Sequence, residues 1–265
     1  MTSLLRLSRK GTIPPERTQH FPFAVPAIRS LAALNLGAAV TFFVGENGSG
    51  KSTLLEAMAC VTELPSLGSD DLDSDDTLAP QRELARDLRI AWSRRTRRGF
   101  FLRAEDFFGY LRRRARNDAR VLREELEREG LFQDDHADGV TTRHVDERFA
   151  ARHVGRYDAR SHGESFIELF EERVQSGGLY LLDEPEAPLS PKRQLEFLKI
   201  VRRATKADAQ FVIATHSPIL LACPGARIFS FDETPIREIA YDALEHVKVT
   251  RDFLADPAKY LEDPH

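Results

Sequence analysis

The chain has 265 residues, of which 42% are hydrophobic and 30% are charged, with a formal net charge of −4 at pH 7. This composition is typical of a globular protein, and no apolar run approaches the length needed to cross a bilayer. The negative charge gives no global attraction to nucleic acid. Because the first residues lack a sustained apolar core before a cleavage site, we expect a cytoplasmic location.

The first predicted unit is a strand, a glycine-rich turn and a helix. Residues 39–44 form an apolar run typical of a buried strand, and residues 52–61 form an apolar helix. Between them lies a complete match to the pattern G-x-x-x-x-G-K-[ST], Gly45-Glu46-Asn47-Gly48-Ser49-Gly50-Lys51-Ser52.

Such a loop presents backbone N–H groups to phosphate oxygens, and the start of the following helix adds further donors. We therefore predict a nucleotide triphosphate site, in which Lys51 neutralises the β- and γ-phosphates and the Ser52 hydroxyl ligates Mg²⁺. A glycine-rich turn with a solvated lysine is the alternative, and the flanking strand and helix disfavour it.

The composition becomes highly charged between about residues 63 and 160. An acidic stretch at 69–76 precedes arginine-rich segments with helical character, so we predict an inserted, mostly helical lobe within a single domain of residues 1–265. The arginines at 94–98 and 112–116 could contact nucleic-acid phosphates. Ion pairs with nearby glutamates, or plain solvation, are the favoured interpretation because acidic residues are abundant there.

Helices and apolar strands alternate from residue 161 onward. A helix leads into the strand 179–182, and a second helix at 192–205 precedes the strand 211–214. Strands that are apolar throughout and alternate with helices indicate a largely parallel sheet with both faces covered. The predicted fold is therefore α/β, with N-terminal β elements and the inserted lobe.

Two carboxylates, Asp183 and Glu184, follow the strand 179–182 directly. In a phosphoryl-transfer site the first carboxylate holds Mg²⁺ and the second polarises the attacking water. Taken alone, the segment is equally well explained as a strand that ends in a solvated acidic turn. The phosphate loop upstream favours the catalytic interpretation.

Together these segments resemble the ABC-type P-loop ATPases. Residues 45–52 resemble a Walker A loop, 179–184 a Walker B strand with its catalytic glutamate, and 187–190 a D-loop. Ser161-His162-Gly163-Glu164 is similar to the signature motif, and Thr215-His216-Ser217 to the H-loop. The variant signature resembles a group of small stand-alone predicted ATPases related to the SMC-like and RecF-like branch.

The resemblance implies ATP hydrolysis with Mg²⁺ in a homodimer whose nucleotides lie between the two protomers. Ser52 and Asp183 would ligate the metal, and Glu184 and His216 would be catalytic. The other expected nucleotide contacts come from the phosphate loop of one protomer and the signature of the other: Asn47, Gly48, Ser49, Gly50, Lys51, Ser52 and Thr53, with Ser161, Gly163 and Glu164.

Two departures from the family pattern stand out. The second signature position, usually glycine, is His162. A Q-loop glutamine is not evident at its expected place, the end of a strand at 99–105 that enters the lobe, where Arg103 or Glu105 could replace it.

We expect an ATP-dependent dimer that acts as a switch, and its kinship suggests DNA-related or defence-related work. DNA or a protein is left open as the further partner. The alternative is the nucleotide-binding subunit of a membrane transporter, which the altered signature and the missing Q-loop glutamine disfavour. A nucleotide binder without hydrolysis is ranked last because Glu184 is present.

Overall fold

The computed structural model describes residues 3–67, 76–107, 109–111, 113, 117, 120–121 and 162–261. Its strands are β1 (Leu4–Arg9), β2 (Ala33–Asn35), β3 (Val40–Val44), β4 (Leu88–Trp92), β5 (Gly99–Arg103), β6 (Leu179–Asp183), β7 (Gln210–Ala214), β8 (Arg227–Ser230) and β9 (Arg237–Glu238). Its helices are α1 (Pro26–Ser30), α2 (Lys51–Thr62), α3 (Ala79–Asp87), α4 (His162–Arg173), α5 (Pro191–Thr205), α6 (Pro218–Leu221), α7 (Glu245–Ala255) and α8 (Ala258–Leu261).

The larger sheet has the strand order β5-β6-β7-β3-β8-β9. Its strands pair in parallel, except that β9 pairs antiparallel with β8. Helices follow β3, β6 and β7 along the chain. This mostly parallel sheet with its helices confirms the predicted α/β fold.

Hydrophobic side chains fill both faces of this sheet. Strands β3, β6 and β7 are buried at every position. Successive side chains of β3 point to opposite faces, so Phe43 joins the cluster that contains Leu54 of α2, and Phe42 joins the cluster that contains Phe197 of α5. Burial on both sides explains why these strands read as uninterrupted apolar runs.

A second, antiparallel sheet has the strand order β2-β1-β4. The side chain of Gln210, at the start of β7, joins it to the larger sheet. Gln210 Oε1 accepts a hydrogen bond from the Leu4 amide at 2.7 Å, and Gln210 Nε2 donates to the carbonyl oxygens of Leu4 at 2.8 Å and Leu36 at 2.6 Å. The N-terminal β elements are thereby attached to the amino end of β7.

Two strands, β4 and β5, lie within the limits predicted for the inserted lobe, residues 63–160. Strand β4 pairs with β1, and β5 pairs with β6, so both strands belong to the sheets of the main body. Because both strands are short and have charged neighbours in the sequence, local patterns do not predict them. Each forms by pairing with a strand that is distant in the sequence. Much of the remaining segment lies outside the described residues, so the helical lobe and the single-domain limits stay predictions.

Within the described part of the chain, no helix is both long and apolar enough to span a membrane.

Candidate nucleotide-binding site

The candidate site lies at the carboxyl edge of the larger sheet. Strands β3, β5, β6 and β7 are parallel, so the residues that follow them meet at one edge. The phosphate loop follows β3, Asp183 ends β6, and His216 follows β7 by two residues. The fold thus gathers residues that are far apart in the sequence.

The phosphate loop takes backbone conformations that need glycine. Gly45 has a φ of 143° and Gly50 a φ of 104°. A Cβ atom at Gly45 would lie 2.9 Å from Asp232 Oδ1, and one at Gly50 would lie 2.9 Å from Val25 Cγ1. The Glu46 amide donates to Asp232 Oδ1 at 2.6 Å, which fastens the loop to the chain after β8. The loop is therefore held in shape by both its glycines and its neighbours.

Lys51 is the first residue of α2, which places Ser52 and Thr53 in the first turn of that helix. Lys51 Nζ donates to the carbonyl oxygens of Gly45 at 2.6 Å and Glu46 at 2.9 Å, so the ammonium group lies against the loop. Burial lowers the pKa of Lys51, and the surrounding carboxylates, Glu184 foremost, oppose that shift. Asn47, Gly48, Ser49 and Gly50 form the loop that leads into this helix.

Ser52 and Asp183 come into direct contact. Ser52 Oγ donates to Asp183 Oδ1 at 3.1 Å, although the two residues are far apart in sequence. Burial raises the pKa of Asp183 to about 7, and the Ser52 hydrogen bond opposes this rise. Burial makes Asp183 hard to ionise, and a cation bound nearby would stabilise its carboxylate form.

These two oxygens fit a Mg²⁺ ion. Among the described residues, no group of three or more His, Cys, Asp or Glu side chains could form a metal site. Mg²⁺ commonly takes only one or two protein ligands and completes its octahedron with waters and substrate phosphates. A hydroxyl and one carboxylate beside a phosphate loop therefore suit this ion.

Glu184 and His216 lie next to each other beyond the ends of β6 and β7. Glu184 Oε1 is 4.0 Å from His216 Nε2, and both side chains are partly exposed. Glu184 has a φ of 49°, a left-handed conformation that is unusual for glutamate. Glu186 fixes the backbone at His216. Its Oε1 accepts hydrogen bonds from Thr215 Oγ1 at 2.7 Å and from the His216 amide at 2.8 Å.

The signature residues are placed differently. His162 begins α4, Gly163 and Glu164 are in its first turn, and Ser161 lies outside the described residues. A Cβ atom at Gly163 would lie 3.2 Å from the Pro188 carbonyl oxygen, and Glu164 forms an ion pair with Arg193. The start of α4 therefore packs against residues 187–190, the segment that resembles a D-loop.

A cavity of about 380 Å³ lies beside the Ser52–Asp183 contact. Described residues from α2, the end of β5 and the end of β6 line it: Ser52, Glu56, Arg103, Ala104, Glu105, Asp183, Glu184 and Ala187. Gly163 and Glu164 are not among these lining residues.

Sequence reasoning missed the buried polar network beside this cavity. Arg103 Nε lies 3.0 Å from Glu56 Oε1, and Gln81 Nε2 donates to Glu56 Oε2 at 2.7 Å. Glu56 is one helical turn after Ser52, so the 3.6-residue period could have placed it on the cavity side. Gln81 offers no comparable signal, and neither does Asp232.

A strand, a glycine-rich phosphate loop and a helix, with a carboxylate at the end of a nearby parallel strand, define a P-loop nucleotide-binding protein. Comparison with family models makes this more specific. The model described as ABC transporter matches residues 34–187, which is more than half of the chain. The chain belongs to this ABC family, whose members bind nucleotide. A second model, described as "AAA domain, putative AbiEii toxin, Type IV TA system", matches residues 165–222.

Solved structures similar to this chain include both transporter subunits and SMC heads. One is cbiO1 of Clostridium perfringens, part of an ABC transporter complex, with 17% identity, a TM-score of 0.41 and 97% of each chain covered. Another is the SMC head domain of Thermotoga maritima, with 14% identity, a TM-score of 0.41, and 90% of this chain and 98% of that chain covered. A dimeric bacterial ABC transporter cassette has 14% identity, a TM-score of 0.36, and covers 79% and 90% of the two chains. The comparison with curated protein sequences gives no significant match.

Proposed function

We propose that this chain is a Mg²⁺-dependent ATPase that works as an ATP-bound homodimer and so acts as a switch. The observation that carries the proposal is the contact between Ser52 and Asp183, at 3.1 Å, beside the buried Lys51 and the pair of Glu184 and His216. A hydroxyl, two carboxylates, an ammonium group and an imidazole at one phosphate loop are groups that can position and stabilise phosphoryl transfer to water.

Each group has a separate task. Backbone N–H groups of residues 47–53 surround the phosphates, and Lys51 neutralises their charge. Bound Mg²⁺ would be held by Ser52 and Asp183 and would supply charge neutralisation and orientation at the phosphates. Glu184 takes the proton of the attacking water as general base. His216, 4.0 Å from Glu184, contacts the terminal phosphate and orients the water.

The position of the signature supports the proposed dimer. Gly163 and Glu164 pack against residues 187–190 and do not line the cavity beside Ser52. The start of α4 would instead reach the phosphate loop of a facing protomer, where Ser161, Gly163 and Glu164 offer a hydroxyl, backbone donors and the amino end of a helix. ATP then joins the protomers, and hydrolysis weakens that connection.

The test is the rate of ATP hydrolysis at increasing protein concentration. If two chains form each site, the rate should rise with the square of the concentration well below the dimerisation constant and linearly above it. A rate that is linear at all concentrations, with a monomeric protein in light scattering, would contradict the paired site while leaving ATP hydrolysis intact.

We further propose DNA-related or defence-related work for the switch. The match to the Type IV TA system model at residues 165–222 supports a defence-related role. Arg94, Arg97 and Arg98 are exposed, which supports contact with phosphates. Stimulation of hydrolysis by duplex DNA, lost when these arginines are replaced, is the expected result. An unchanged rate with DNA would favour a protein partner.

The second candidate function is hydrolysis of ATP for a membrane transporter. The description of the matched family as ABC transporter favours it. The chain would then be a nucleotide-binding subunit that docks on a membrane protein. Copurification with a membrane protein would support this function. For either candidate we propose a cytoplasmic location, in keeping with the free thiols of Cys60 and Cys223.

A further inference from the structure

Arg103 holds a cationic group beside the proposed metal and phosphate site. It is the last residue of β5, and in the parallel register of β5 and β6 its partner is Asp183. Its side chain is 11% exposed and lines the same cavity as Ser52 and Glu184. The guanidinium therefore lies beside the carboxylates of Asp183 and Glu184, at the end of β6.

The surroundings of Arg103 keep it in that place. Glu56 Oε1 lies 3.0 Å from its Nε, and Glu56 is itself held by the hydrogen bond from Gln81. The carboxylate of Glu105 lies 3.7 Å from Nη1, and the guanidinium carbon lies 5.7 Å from the centre of the Phe101 ring. A buried ion pair of this kind restricts the arginine to a narrow range of positions.

One end of the guanidinium keeps a free hydrogen-bonding capacity. Nη2 is buried and donates no hydrogen bond to the described residues, and Nε faces Glu56 without hydrogen-bond geometry. A buried donor without an acceptor is unfavourable, and such groups often mark functional sites. Nη2 thus remains ready for an acceptor that enters the cavity.

The chemistry of the cavity selects the acceptor. Glu56, Glu105, Asp183 and Glu184 already line it, so a further carboxylate would meet strong repulsion unless a cation came with it. A phosphate that enters with bound Mg²⁺ brings the cation that offsets these carboxylates. Ser52, which lines the cavity, is next to Lys51 in the chain, and arginine recognises phosphate oxygens well. Ser52, Asp183 and Glu184 mark the end of the nucleotide where water attacks, which is the terminal phosphate.

We infer that Arg103 donates from Nη2 to the terminal phosphate of ATP, and that this contact lets the chain distinguish ATP from ADP. Glu56 is the positioning residue for this arginine. The inference rests on the proposed function and adds a specificity-determining residue to it.

The test compares the affinities for ATPγS and ADP in the presence of Mg²⁺, measured by calorimetry. Arg103→Met should weaken ATPγS binding about 10- to 100-fold, the size of one charge-assisted hydrogen bond, and leave ADP binding within about 2-fold. Arg103→Lys keeps the charge but not the planar fork, and should recover part of the loss.

Two further variants separate this contact from misfolding and from net charge. Arg103→Met leaves Glu56 buried without its ion-pair partner, so the double variant Glu56→Gln with Arg103→Met removes both charges and should show the same selective loss of ATPγS binding. Arg89→Met is the matched control, because Arg89 is exposed on β4 and belongs to no proposed binding site. It should bind both nucleotides as the unaltered protein does.

The outcomes are distinct. Equal weakening of ATPγS and ADP, or the same loss in Arg89→Met, would overturn the inference. If the unaltered protein binds neither nucleotide, the proposed function itself fails.

Discussion

Buried polar side chains differ in hydrogen bonding between the two ends of the central strands. At the amino end of β7, Gln210 is fully buried and both of its side-chain polar atoms are hydrogen bonded to backbone groups. At the carboxyl edge, Arg103 and Asp183 are also nearly buried, yet Arg103 Nη2 lacks a hydrogen bond to the described residues and burial raises the pKa of Asp183 to about 7.

The contrast shows how burial serves two purposes. A polar side chain whose hydrogen bonds are all made stabilises one arrangement of the sheets. A polar side chain with spare capacity lowers stability and is kept ready for a ligand. Substitutions at the amino end should therefore change the free energy of unfolding, whereas those at the carboxyl edge should change binding or turnover.

The largest effect is expected for Glu184→Gln. Loss of the proposed general base should reduce ATP turnover about 10²- to 10⁴-fold, while ATP binding is kept and a dimer accumulates. Turnover assays and light scattering with ATP measure both. Glu171→Gln, at an exposed position on α4, is the control, and full turnover in Glu184→Gln would refute the assigned role.

Gln210→Leu tests the amino end. It removes the partners of the Leu4 amide and of the Leu4 and Leu36 carbonyl oxygens, so the free energy of unfolding should fall by about 3 kcal/mol. Urea unfolding measures this change, with Gln19→Leu as an exposed control. ATP affinity should be unchanged. If Gln210→Leu kept its free energy of unfolding but bound ATP weakly, the proposed difference between the two ends of the strands would be wrong.

Lys51→Ala should show the opposite profile. ATP affinity should fall about 100-fold, because the ammonium group that faces the phosphates is lost. The free energy of unfolding should change by less than about 1 kcal/mol, since burial of the charge, which lowers the pKa of Lys51, offsets its two hydrogen bonds to the loop. A fluorescent ATP analogue and urea unfolding report the two quantities. Lys199→Ala, exposed on α5, should leave both unaltered.

The smallest effect concerns Asp183 and pH. With its pKa raised from 3.8 to about 7, the folded chain binds this proton more tightly than the unfolded chain does. The stability from this group is greatest at low pH and is lost as pH rises through about 7. In EDTA, the stability of Asp183→Asn relative to the unaltered protein should therefore rise by about 2 kcal/mol from about pH 5 to about pH 8. A pH-independent difference in urea unfolding would show that Asp183 is an ordinary carboxylate.

Local patterns predicted much of the fold. The strand at 39–44, the helix at 52–61 and the strands at 179–182 and 211–214 lie within a residue of β3, α2, β6 and β7. Each is a strong apolar period beside a glycine-rich or acidic turn, which a single segment can reveal. The placement of Asp183 beside Ser52 was also within reach, because parallel strands end at a common edge.

Long-range pairing was out of reach. β4 is short and follows charged residues, and it forms a strand because β1 lies beside it. The contact of Arg103 with Glu56 and the ties of Gln210 to Leu4 join distant segments, and no local period encodes them. The sequence alone makes Arg103 and Glu105 equal candidates to replace the missing glutamine. The fold distinguishes them, because the Arg103 side chain is nearly buried and the Glu105 side chain is exposed.

The left-handed backbone of Glu184 has a consequence for how such sequences diverge. At a φ of 49°, glycine or asparagine would be more favourable than glutamate by about 1 kcal/mol. On stability alone another residue would be favoured at this position, and the proposed role of Glu184 in turnover would account for the glutamate. In descendants that retain nucleotide binding but have lost hydrolysis, we expect position 184 to drift toward those two residues.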